Sequence, residues 1–245
     1  FHLLDVGQGL TVVIETHRHV LVFDTGPAYP SGFSTAGAVI VPFLRQLGHQ
    51  RIDRLIVSHS DIDHAGGTAE LQQALPVAEI LSGEPNDPEP WARPCTAGMD
   101  WNWDGVRFRI LHPPTDRAYR GNNASCVLRI DNAAGSVLLT GDIEATVELR
   151  LLASVPGSLD VDVVVASHHG SSSSSTARFV DATDADHVLF AAGWANRYGF
   201  PDPEVVARWT RSGAQTWNTA HWGSLSMRFE AEGSYSEPVG YRQAS

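Results

Sequence analysis

The sequence contains no lysine, and its 17 basic residues are all arginine. They are outnumbered by 28 acidic residues, so the formal net charge at pH 7 is −11. Binding of nucleic acid by overall charge usually requires a basic face, because the phosphate backbone is anionic. The composition argues against that mode of binding. Arginine suits bidentate phosphate contacts, although genome composition also explains the missing lysine.

Cysteines and long apolar runs are scarce as well. Cys95 and Cys126 are the two cysteines, and their spacing is compatible with a disulfide, two thiols or core packing. No apolar run approaches the roughly 20 residues that cross a bilayer, and no signal peptide is visible. Because the chain begins at Phe1 on a strand-like segment, we expect a processed protein or part of a longer one, with any membrane segment outside it.

Predicted strands and helices alternate along the chain. Residues 10–16 and 19–26 predict a hairpin, and 161–169 begin with a valine-rich strand of the kind buried on both faces. Residues 84–98 are rich in proline and acidic residues and predict a surface excursion. Helices are predicted over 36–47, 67–75, 144–153, 176–181 and 203–212. The pattern is that of a layered α/β fold.

Residues 58–67 read SHSDIDHAGG and follow a predicted strand. His59, Asp61, Asp63 and His64 place four candidate ligands within six positions. Imidazole and carboxylate are ligands of Zn, Mn and Fe. The alternative is a capped turn that opens a helix, but the density of ligand types favours a metal site.

Two later segments also place candidate ligands after strands. LLTGD ends in Asp142, whose carboxylate could bridge two metal ions. SHHGSS contains His168 and His169, of which we favour His168 as a ligand and His169 as a substrate or supporting group. The loops at one edge of a layered α/β fold converge, so we expect these side chains to lie near residues 58–67.

The remaining histidines and the tryptophans are weaker candidates. His17, His19, His49 and His187 are expected on surfaces or in turns, whereas His112 and His221 could approach the site. The seven tryptophans are expected to serve packing rather than to form a platform for base stacking.

The segments LLDVGQG, VFDTG, LIVSHSDIDHAGG, LLTGD and SHHGSSSS resemble, in order and spacing, the motifs of the metallo-β-lactamase superfamily. More narrowly, the chain resembles the C-terminal β-lactamase-like domain of the ComEC competence proteins, which are DNA-uptake channels. GNNASCVLRI and NRYGFPDPEVVARW extend the resemblance over essentially the whole chain. It implies one domain over residues 1–245, folded as an αββα four-layer sandwich and belonging to a longer membrane protein.

The resemblance also implies a metal-dependent phosphodiesterase or nuclease that acts on DNA in natural transformation, with a metal-bound hydroxide attacking phosphorus. Two divalent ions are implied. His59 and Asp61 would hold the first ion, Asp63 and His64 the second, Asp142 would bridge them, and His168 would complete the second site. Asp63 and His169 are the expected catalytic residues. The expected substrate contacts are Asn122, Asn123, Ser125 and Ser171.

Four positions depart from the family pattern. Asp61 replaces a histidine of many superfamily members, and the added oxygen favours Mn or Mg over Zn. Asn122 lies where relatives often have a ligand histidine, so the first ion is expected to bind weakly. Leu10 replaces the last aspartate of DVGQGD, and Phe200 replaces the histidine of a Gly-His-Pro segment. Both changes are expected to reduce activity.

The implied partners are single-stranded DNA and the transmembrane channel portion of the same longer protein, with no organic cofactor. The implied location is membrane-associated, on the outer side of the cytoplasmic membrane. Two alternatives stay open. One is a hydrolase of another small ester, of the phosphocholine esterase or lactonase type, and the other is a catalytically weak domain that guides DNA.

Overall fold

A computed structural model describes residues 1–84, 92–230 and 233–242. Residues 85–91, in the predicted surface excursion, lie outside these ranges. The strands are numbered in chain order. The first sheet contains, in spatial order, β17 (Val239–Gly240), β14 (Leu225–Ser226), β1 (His2–Leu3), β2 (Val12–Glu15), β3 (Val20–Phe23), β4 (Arg54–Val57), β5 (Ile80–Ser82) and β6 (Arg93–Pro94).

The second sheet contains, in spatial order, β13 (Gln215–Asn218), β12 (His187–Phe190), β11 (Val163–Val165), β10 (Ser136–Leu139), β9 (Val127–Asp131), β8 (Val106–His112) and β7 (Asp100–Trp103). A separate hairpin pairs β15 (Phe229–Glu230) with β16 (Ser234–Tyr235). In each sheet one half is parallel, namely β3 to β6 and β10 to β13. Parallel neighbours need long crossovers, and most helices lie there.

The helices cover the outer faces of the two sheets. A π-helical turn (Ala36–Ile40) continues into α1 (Val41–Gln46), which together form the helix predicted over 36–47. The others are α2 (Ile62–Ala65), α3 (Thr68–Ala74), α4 (Ala145–Ser154), α5 (Ala177–Thr183), α6 (Pro203–Arg211) and α7 (Thr219–Trp222), with 3-10 turns at Gly121–Ala124, Pro156–Ser158 and Ser167–Gly170. Within the described ranges, none of these helices has the length and apolar character of a membrane span.

Side chains alternate between two buried layers along the strands. Val12 packs between the two sheets, whereas Val13 packs against the helices outside the first sheet. Val163 and Val165 likewise face the layer between the sheets, while Val164 faces α4, α5 and α6. Burying a valine side chain contributes roughly 1.5–3 kcal/mol, so both faces of β11 stabilise the fold. The predicted αββα sandwich is confirmed.

Two sequence-level questions are resolved by the fold. Cys95 and Cys126 form a disulfide, which joins the segment after β6 to the residue before β9. The prediction that His187 lies on the surface is wrong, because His187 begins β12 and is only 5% exposed. His187 belongs to a buried central strand and not to a turn.

Candidate metal centre

The candidate ligands lie at the carboxyl ends of strands from both sheets. Residues 58–64 follow β4 in the first sheet, Asp142 follows β10, and His168 and His169 follow β11 in the second. The 3-10 turn at Gly121–Ala124 precedes β9, which is antiparallel to β10, so it reaches the same edge. The predicted convergence of these loops is what the structure shows.

The HSDIDH segment is fixed by backbone hydrogen bonds. Asp61 is the residue before α2, and the Leu10 amide donates to the Asp63 carbonyl at 3.1 Å. The Thr25 amide donates to the His64 carbonyl at 2.7 Å. The segment therefore buries its two histidines completely and leaves the Asp61 side chain 55% and the Asp63 side chain 29% exposed.

Five of the candidate side chains form a compact cluster. His64 Nε2 lies 3.1 Å from Asp142 Oδ1 and 3.2 Å from His169 Nε2. His169 Nε2 lies 3.3 Å from Asp63 Oδ2 and 3.5 Å from Asp142 Oδ2. Donors bound to one ion at about 2.0–2.2 Å are separated by about 3–3.5 Å. The spacing fits two overlapping ligand groups, His59 with His64 and Asp142, and Asp63 with His64 and His169.

One donor atom of the cluster has no hydrogen-bond partner. His59 Nε2 is buried and makes no hydrogen bond with any described residue, and the nearest carboxylate oxygen, Asp61 Oδ2, lies 3.6 Å away. A buried polar atom without a partner costs about 1–3 kcal/mol. Together with the mixed imidazole and carboxylate donor set, this atom fits a divalent cation.

The outer nitrogens of the ligand histidines are held by other groups. His64 Nδ1 donates to Asp24 Oδ2 at 2.7 Å, and His169 Nδ1 donates to the Ala191 carbonyl at 2.8 Å. Such bonds fix the tautomer of an imidazole and direct its other nitrogen. Both Nε2 atoms therefore face the cluster, where each would have to lose its proton to bind a cation.

Sequence reasoning missed Asp24. Its side chain is fully buried and accepts from the Ser58 amide at 2.6 Å and from Ser58 Oγ at 2.7 Å, in addition to His64. Its backbone has a positive φ of 60°. The available signal was VFDTG, a buried strand that ends in a lone carboxylate, which is the same pattern that singled out Asp142.

The positions of His168 and His169 reverse the expected order. Both residues have positive φ angles, 51° and 55°, a conformation that costs about 1 kcal/mol or more for a non-glycine residue. This turn directs His169 inward to the cluster. It leaves His168 Nε2 3.8 Å from Asp142 Oδ2, partly exposed, with Nδ1 at 3.0 Å from Ser173 Oγ. The distances favour His169 rather than His168 as a ligand.

Asp142 is positioned by the residues around Gly141. A Cβ on Gly141 would lie 2.7 Å from the Ser125 Cβ, and its φ of +52° is a conformation suited to glycine. The Asp142 amide donates to Ser125 Oγ at 2.9 Å, and the same oxygen lies 3.3 Å from His59 Nδ1. Ser125 is fully buried. It braces two candidate ligands and is not placed for the expected substrate contact.

The other expected substrate contacts are also mostly engaged within the protein. Asn123 and Glu144 exchange two hydrogen bonds of 2.9 and 3.0 Å, and Ser171 is buried, 3.2 Å from Ser173 Oγ. Asn122 Nδ2 lies 3.5 Å from His168 Nε2. Asn122 is therefore the member of the expected set that faces the edge of the cluster.

The remaining weaker candidates lie outside the cluster. His112 is buried and donates from Nε2 to the Asn123 carbonyl at 2.8 Å, so it supports the turn behind Asn122. The His221 ring contacts Trp194 at a centroid distance of 5.7 Å. Leu10 packs between the sheets, and the Phe200 ring lies 5.7 Å from that of His168.

Charges in the cluster are strongly coupled. Burial favours the neutral form of Asp63, but the hydrogen bond from His169 and the nearby charge of His64 outweigh burial and lower the pKa of Asp63 to about 2. Burial also disfavours a charged His64, yet the carboxylates of Asp142 and Asp24 raise its pKa well above the ordinary value. The carboxylates of the cluster are therefore ionised, and they require compensating positive charge within the cluster.

Glu84 connects two of the loops that form the centre. Its Oε2 accepts from the Ser60 amide at 3.1 Å and from Ser60 Oγ at 2.8 Å. Its Oε1 accepts from the Gly121 amide at 2.9 Å. Since Ser60 lies between two candidate ligands and Gly121 precedes Asn122, Glu84 fixes the loop after β4 against the 3-10 turn.

Comparison with known proteins agrees with this geometry. Residues 4–194 match the profile of the metallo-beta-lactamase superfamily. The match covers well over half of the chain, so the chain belongs to this superfamily, and the family recognised from the sequence motifs is confirmed. Membership, together with the clustered histidines and aspartates, supports a metal-dependent hydrolase that binds divalent metal ions.

Curated relatives and a solved structure extend the comparison. Recombination protein 2 of Haemophilus influenzae is 36% identical over 227 residues, 92% of this chain and 28% of the relative. Competence protein ComA of Neisseria gonorrhoeae is 36% identical over 223 residues, 91% of this chain and 31% of the relative. The chain thus spans less than a third of these relatives. The metallo-beta-lactamase fold protein YhfI of Bacillus subtilis is similar in fold, with a TM-score of 0.55 at 12% identity over 89% of this chain and 95% of that one.

Proposed function

We propose that this chain is a metal-dependent phosphodiesterase that cleaves DNA, most readily single-stranded DNA, within a system for natural transformation. The observation that carries the hydrolase is the buried cluster of histidines and aspartates, in which His59 Nε2 has no hydrogen-bond partner among the described residues. The DNA substrate is supported by the relatives named for competence and recombination. A charge of −11 means that affinity for DNA must come from local contacts.

In this proposal the ions are held by His59, Asp61, Asp63, His64, Asp142 and His169. Divalent ions at such a site supply an acidified water and stabilise charge on phosphate oxygens. The two Asp142 oxygens face different imidazoles, His64 and His169, so Asp142 would supply an oxygen ligand on each side of the cluster. Asp63 is the ligand carboxylate that is both in the cluster and partly exposed, so it is placed to orient a water.

In this proposal Asn122 keeps the substrate-facing role expected from the sequence, and His168 joins it in place of His169. They lie 3.5 Å apart at the edge of the cluster, and His168 is partly exposed. Both side chains can donate hydrogen bonds to phosphate oxygens. Their role is to hold the scissile phosphate against the cluster.

Mn or Mg is the proposed metal, because three of the six assigned ligands are carboxylates. Oxygen donors suit Mg and Mn better than Zn. Asp61 lies 3.6 Å from His59 Nε2 with its side chain largely in solvent, so the ion on that side is expected to bind the more weakly. Metal titration of the purified protein measures both properties.

The proposed location is outside the cytoplasm, attached to the membrane through another part of a longer protein. The disulfide between Cys95 and Cys126 supports an oxidising compartment, where such bonds persist. The relatives are more than three times as long as the matched region, which leaves room for a membrane channel in the whole protein.

Incubation with labelled single-stranded DNA and Mn tests the function. We expect cleavage that a chelator abolishes, and we expect the substitutions His59→Ala and Asp63→Asn to remove it, since each deletes an assigned ligand. Absence of cleavage, or variants that cleave as fast as the unaltered protein, would contradict the proposal.

A catalytically weak DNA-guiding domain is the second candidate. The observation that favours it is that the side of the cluster near Asn122 has weak ligands. The groups there are the exposed Asp61 carboxylate and the Asn122 side-chain amide. Metal content after purification separates the candidates, because two ions per chain argue for an active centre.

A further inference from the structure

Exposed apolar side chains are numerous in segments that leave the strand edge where the metal centre lies. Among the described residues nine large apolar side chains are exposed, and five of them belong to loops that follow β3, β4 and β12. These five are Tyr29, Phe33, Ile62, Trp194 and Tyr198. Singly scattered apolar groups are ordinary, whereas a cluster of them beside a functional centre marks a binding surface.

Aromatic rings lead from the centre to solvent along the loop after β12. The Phe200 ring lies 6.3 Å from the ring of His169 with 23° between their planes. The Tyr198 ring lies 5.4 Å from Phe200 with 16° between planes, and Tyr198 is 53% exposed. The Tyr198 end of this nearly parallel series therefore lies at the surface.

The loop is held in this conformation by Asn196. The Asn196 side chain donates to the carbonyls of Gly193 and Phe200 at 3.0 and 2.7 Å and accepts from the Phe200 amide at 3.0 Å. The Gly193 amide in turn donates to Gln8 Oε1 at 3.2 Å. A loop fixed before binding loses little conformational entropy when a ligand arrives.

Trp194, in the same loop, lines a cleft. The cleft has a volume of about 700 Å³, within the range of small-ligand sites, and Phe200, Trp217 and Trp222 also line it. Trp194 is 73% exposed and meets the His221 ring edge to face at 5.7 Å. Among the tryptophans in the described ranges, Trp194 departs from the expectation that they serve packing.

We propose that Trp194 and Tyr198 bind unpaired nucleobases by stacking, so that a single strand of nucleic acid passes beside the metal centre with its backbone toward His168. Flat aromatic faces accept any base, because every base has a flat π face that can stack on them. Bases offer their faces only where the strand is unpaired. The choice of nucleic acid as ligand rests on the proposed function.

Charge supports stacking over electrostatic binding. The chain carries 28 acidic against 17 basic residues, so its overall field repels phosphates. Arg197 is the cation at this place, and its guanidinium lies 4.8 Å from the Tyr198 ring and donates to the Tyr198 hydroxyl at 2.6 Å. One such contact gives a salt slope of about 0.7 in log Kd against log salt, far below that of a basic groove.

Binding of a labelled oligothymidylate with uncleavable phosphorothioate links, about 12 nucleotides long, tests the inference by fluorescence anisotropy in the presence of Mn. We expect Trp194→Ala and Tyr198→Ala each to weaken binding about tenfold or more. Tyr241→Ala is the matched control, because Tyr241 is 67% exposed and lies outside this loop. We expect it to bind like the unaltered protein.

An abasic oligonucleotide of the same length removes the bases and keeps the phosphates. We expect the unaltered protein to bind it about as weakly as a variant with both Trp194→Ala and Tyr198→Ala binds oligothymidylate, with the shallow salt dependence given above. Equal binding of the abasic strand, or unchanged binding by both variants, would overturn the inference. The inference would also be overturned if the variants kept their affinity for the oligonucleotide but lost binding to anionic lipid vesicles. That result would assign the loop to a membrane surface.

Cleavage by the unaltered protein is measured separately, so the two proposals fail in different ways. If binding depends on the bases but natural DNA is not cleaved, the proposed phosphodiesterase activity is wrong and the proposed base stacking stands. If DNA is cleaved but binding does not depend on the bases, the activity stands and the base stacking is wrong. Thermal melting of each variant verifies that these exposed side chains can be removed without unfolding.

Discussion

The metal centre has two sides that are built differently. The inner side consists of His59, His64, Asp142 and His169, which are buried. The rim consists of Asp61, Asn122 and His168, which are partly or largely exposed. Inner-side atoms are fixed by further bonds, such as His64 Nδ1 to Asp24 and His169 Nδ1 to Ala191. The rim has fewer such supports.

The difference separates two requirements of a hydrolytic centre. Tight metal binding needs ligands held in place before the ion arrives, because outer partners orient them and strengthen binding. Substrate access needs groups that water and a phosphate can reach. The inner side meets the first requirement and the rim meets the second, so substitutions on the two sides are expected to fail in different measurements.

The largest effect is expected from Asp142→Asn. Asparagine keeps the shape but loses the charge and one of the two acceptor oxygens, so the centre should lose bound metal, and DNA cleavage should fall roughly 1000-fold or more. Asp61→Asn on the rim is the comparison, with an expected loss of about tenfold. Metal analysis and cleavage rates measure both. Equal losses in the two variants would contradict a division into inner side and rim.

His169→Ala and His168→Ala compare neighbouring residues on the two sides. His169→Ala should weaken Mn binding by about 100-fold or more, because a direct ligand exceeds the 10–100-fold effect of an outer partner. His168→Ala should leave Mn binding within about tenfold and raise KM for DNA. Calorimetric titration with Mn and steady-state kinetics provide the measurements. The opposite ranking would restore His168 as the ligand.

Asp24→Asn tests the support behind the inner side. Asparagine cannot neutralise His64 or accept all three bonds now made to the carboxylate, so Mn affinity should fall about 10–100-fold. Asp162→Asn is a matched control, since Asp162 accepts from the Ser136 amide at 2.6 Å far from the cluster. It should lower stability without changing Mn affinity. A control that loses Mn binding equally would show that Asp24 acts through general stability.

Much of the fold and three of the four inner-side residues, His59, His64 and Asp142, followed from short-range patterns. The alternation at Val163, Val164 and Val165 reflects packing on both faces of a strand, which is a local property of the sequence. The placement of Asp142 at a strand end was predictable for the same reason, because the carboxyl ends of neighbouring strands meet.

The rest depended on contacts between distant residues or on backbone conformation. Asp24 ends a buried strand as Asp142 does, but its bond to His64 spans 40 residues, and a strand-end carboxylate does not show which distant side chain it bonds. The order of His168 and His169 is set by left-handed φ angles that non-glycine residues seldom adopt. Ser125 looked like a substrate contact because burial cannot be read from one polar residue beside a strand.

Acidification should weaken the support of the rim. Burial lowers the pKa of His112 to about 4 despite its bond to the Asn123 carbonyl, below the ordinary value of about 6.5. Between these values the unfolded chain binds a proton that the folded chain does not. The contribution to stability is therefore complete above pH 6.5 and declines by up to roughly 3 kcal/mol as pH falls to 4.

His112→Gln checks this pH dependence, because glutamine can donate to the same carbonyl but does not titrate. Denaturant unfolding at pH 7, 5.5 and 4 should show a smaller loss of stability in the variant than in the unaltered protein. An identical loss in both proteins would assign the acid sensitivity to other groups.

The smallest effect is expected where the inner side and the rim are joined. Glu84 accepts from Ser60, beside the inner-side residue His59, and from Gly121, beside Asn122 of the rim. Glu84→Gln keeps one oxygen and exchanges a charged acceptor for a neutral one, which costs about 1 kcal/mol and so about fivefold in kcat/KM for DNA. Because Glu84 holds no metal, Mn affinity should stay unchanged. A parallel fall in Mn affinity would mean that the two sides form one rigid unit, and the separation of metal binding from substrate access would not hold.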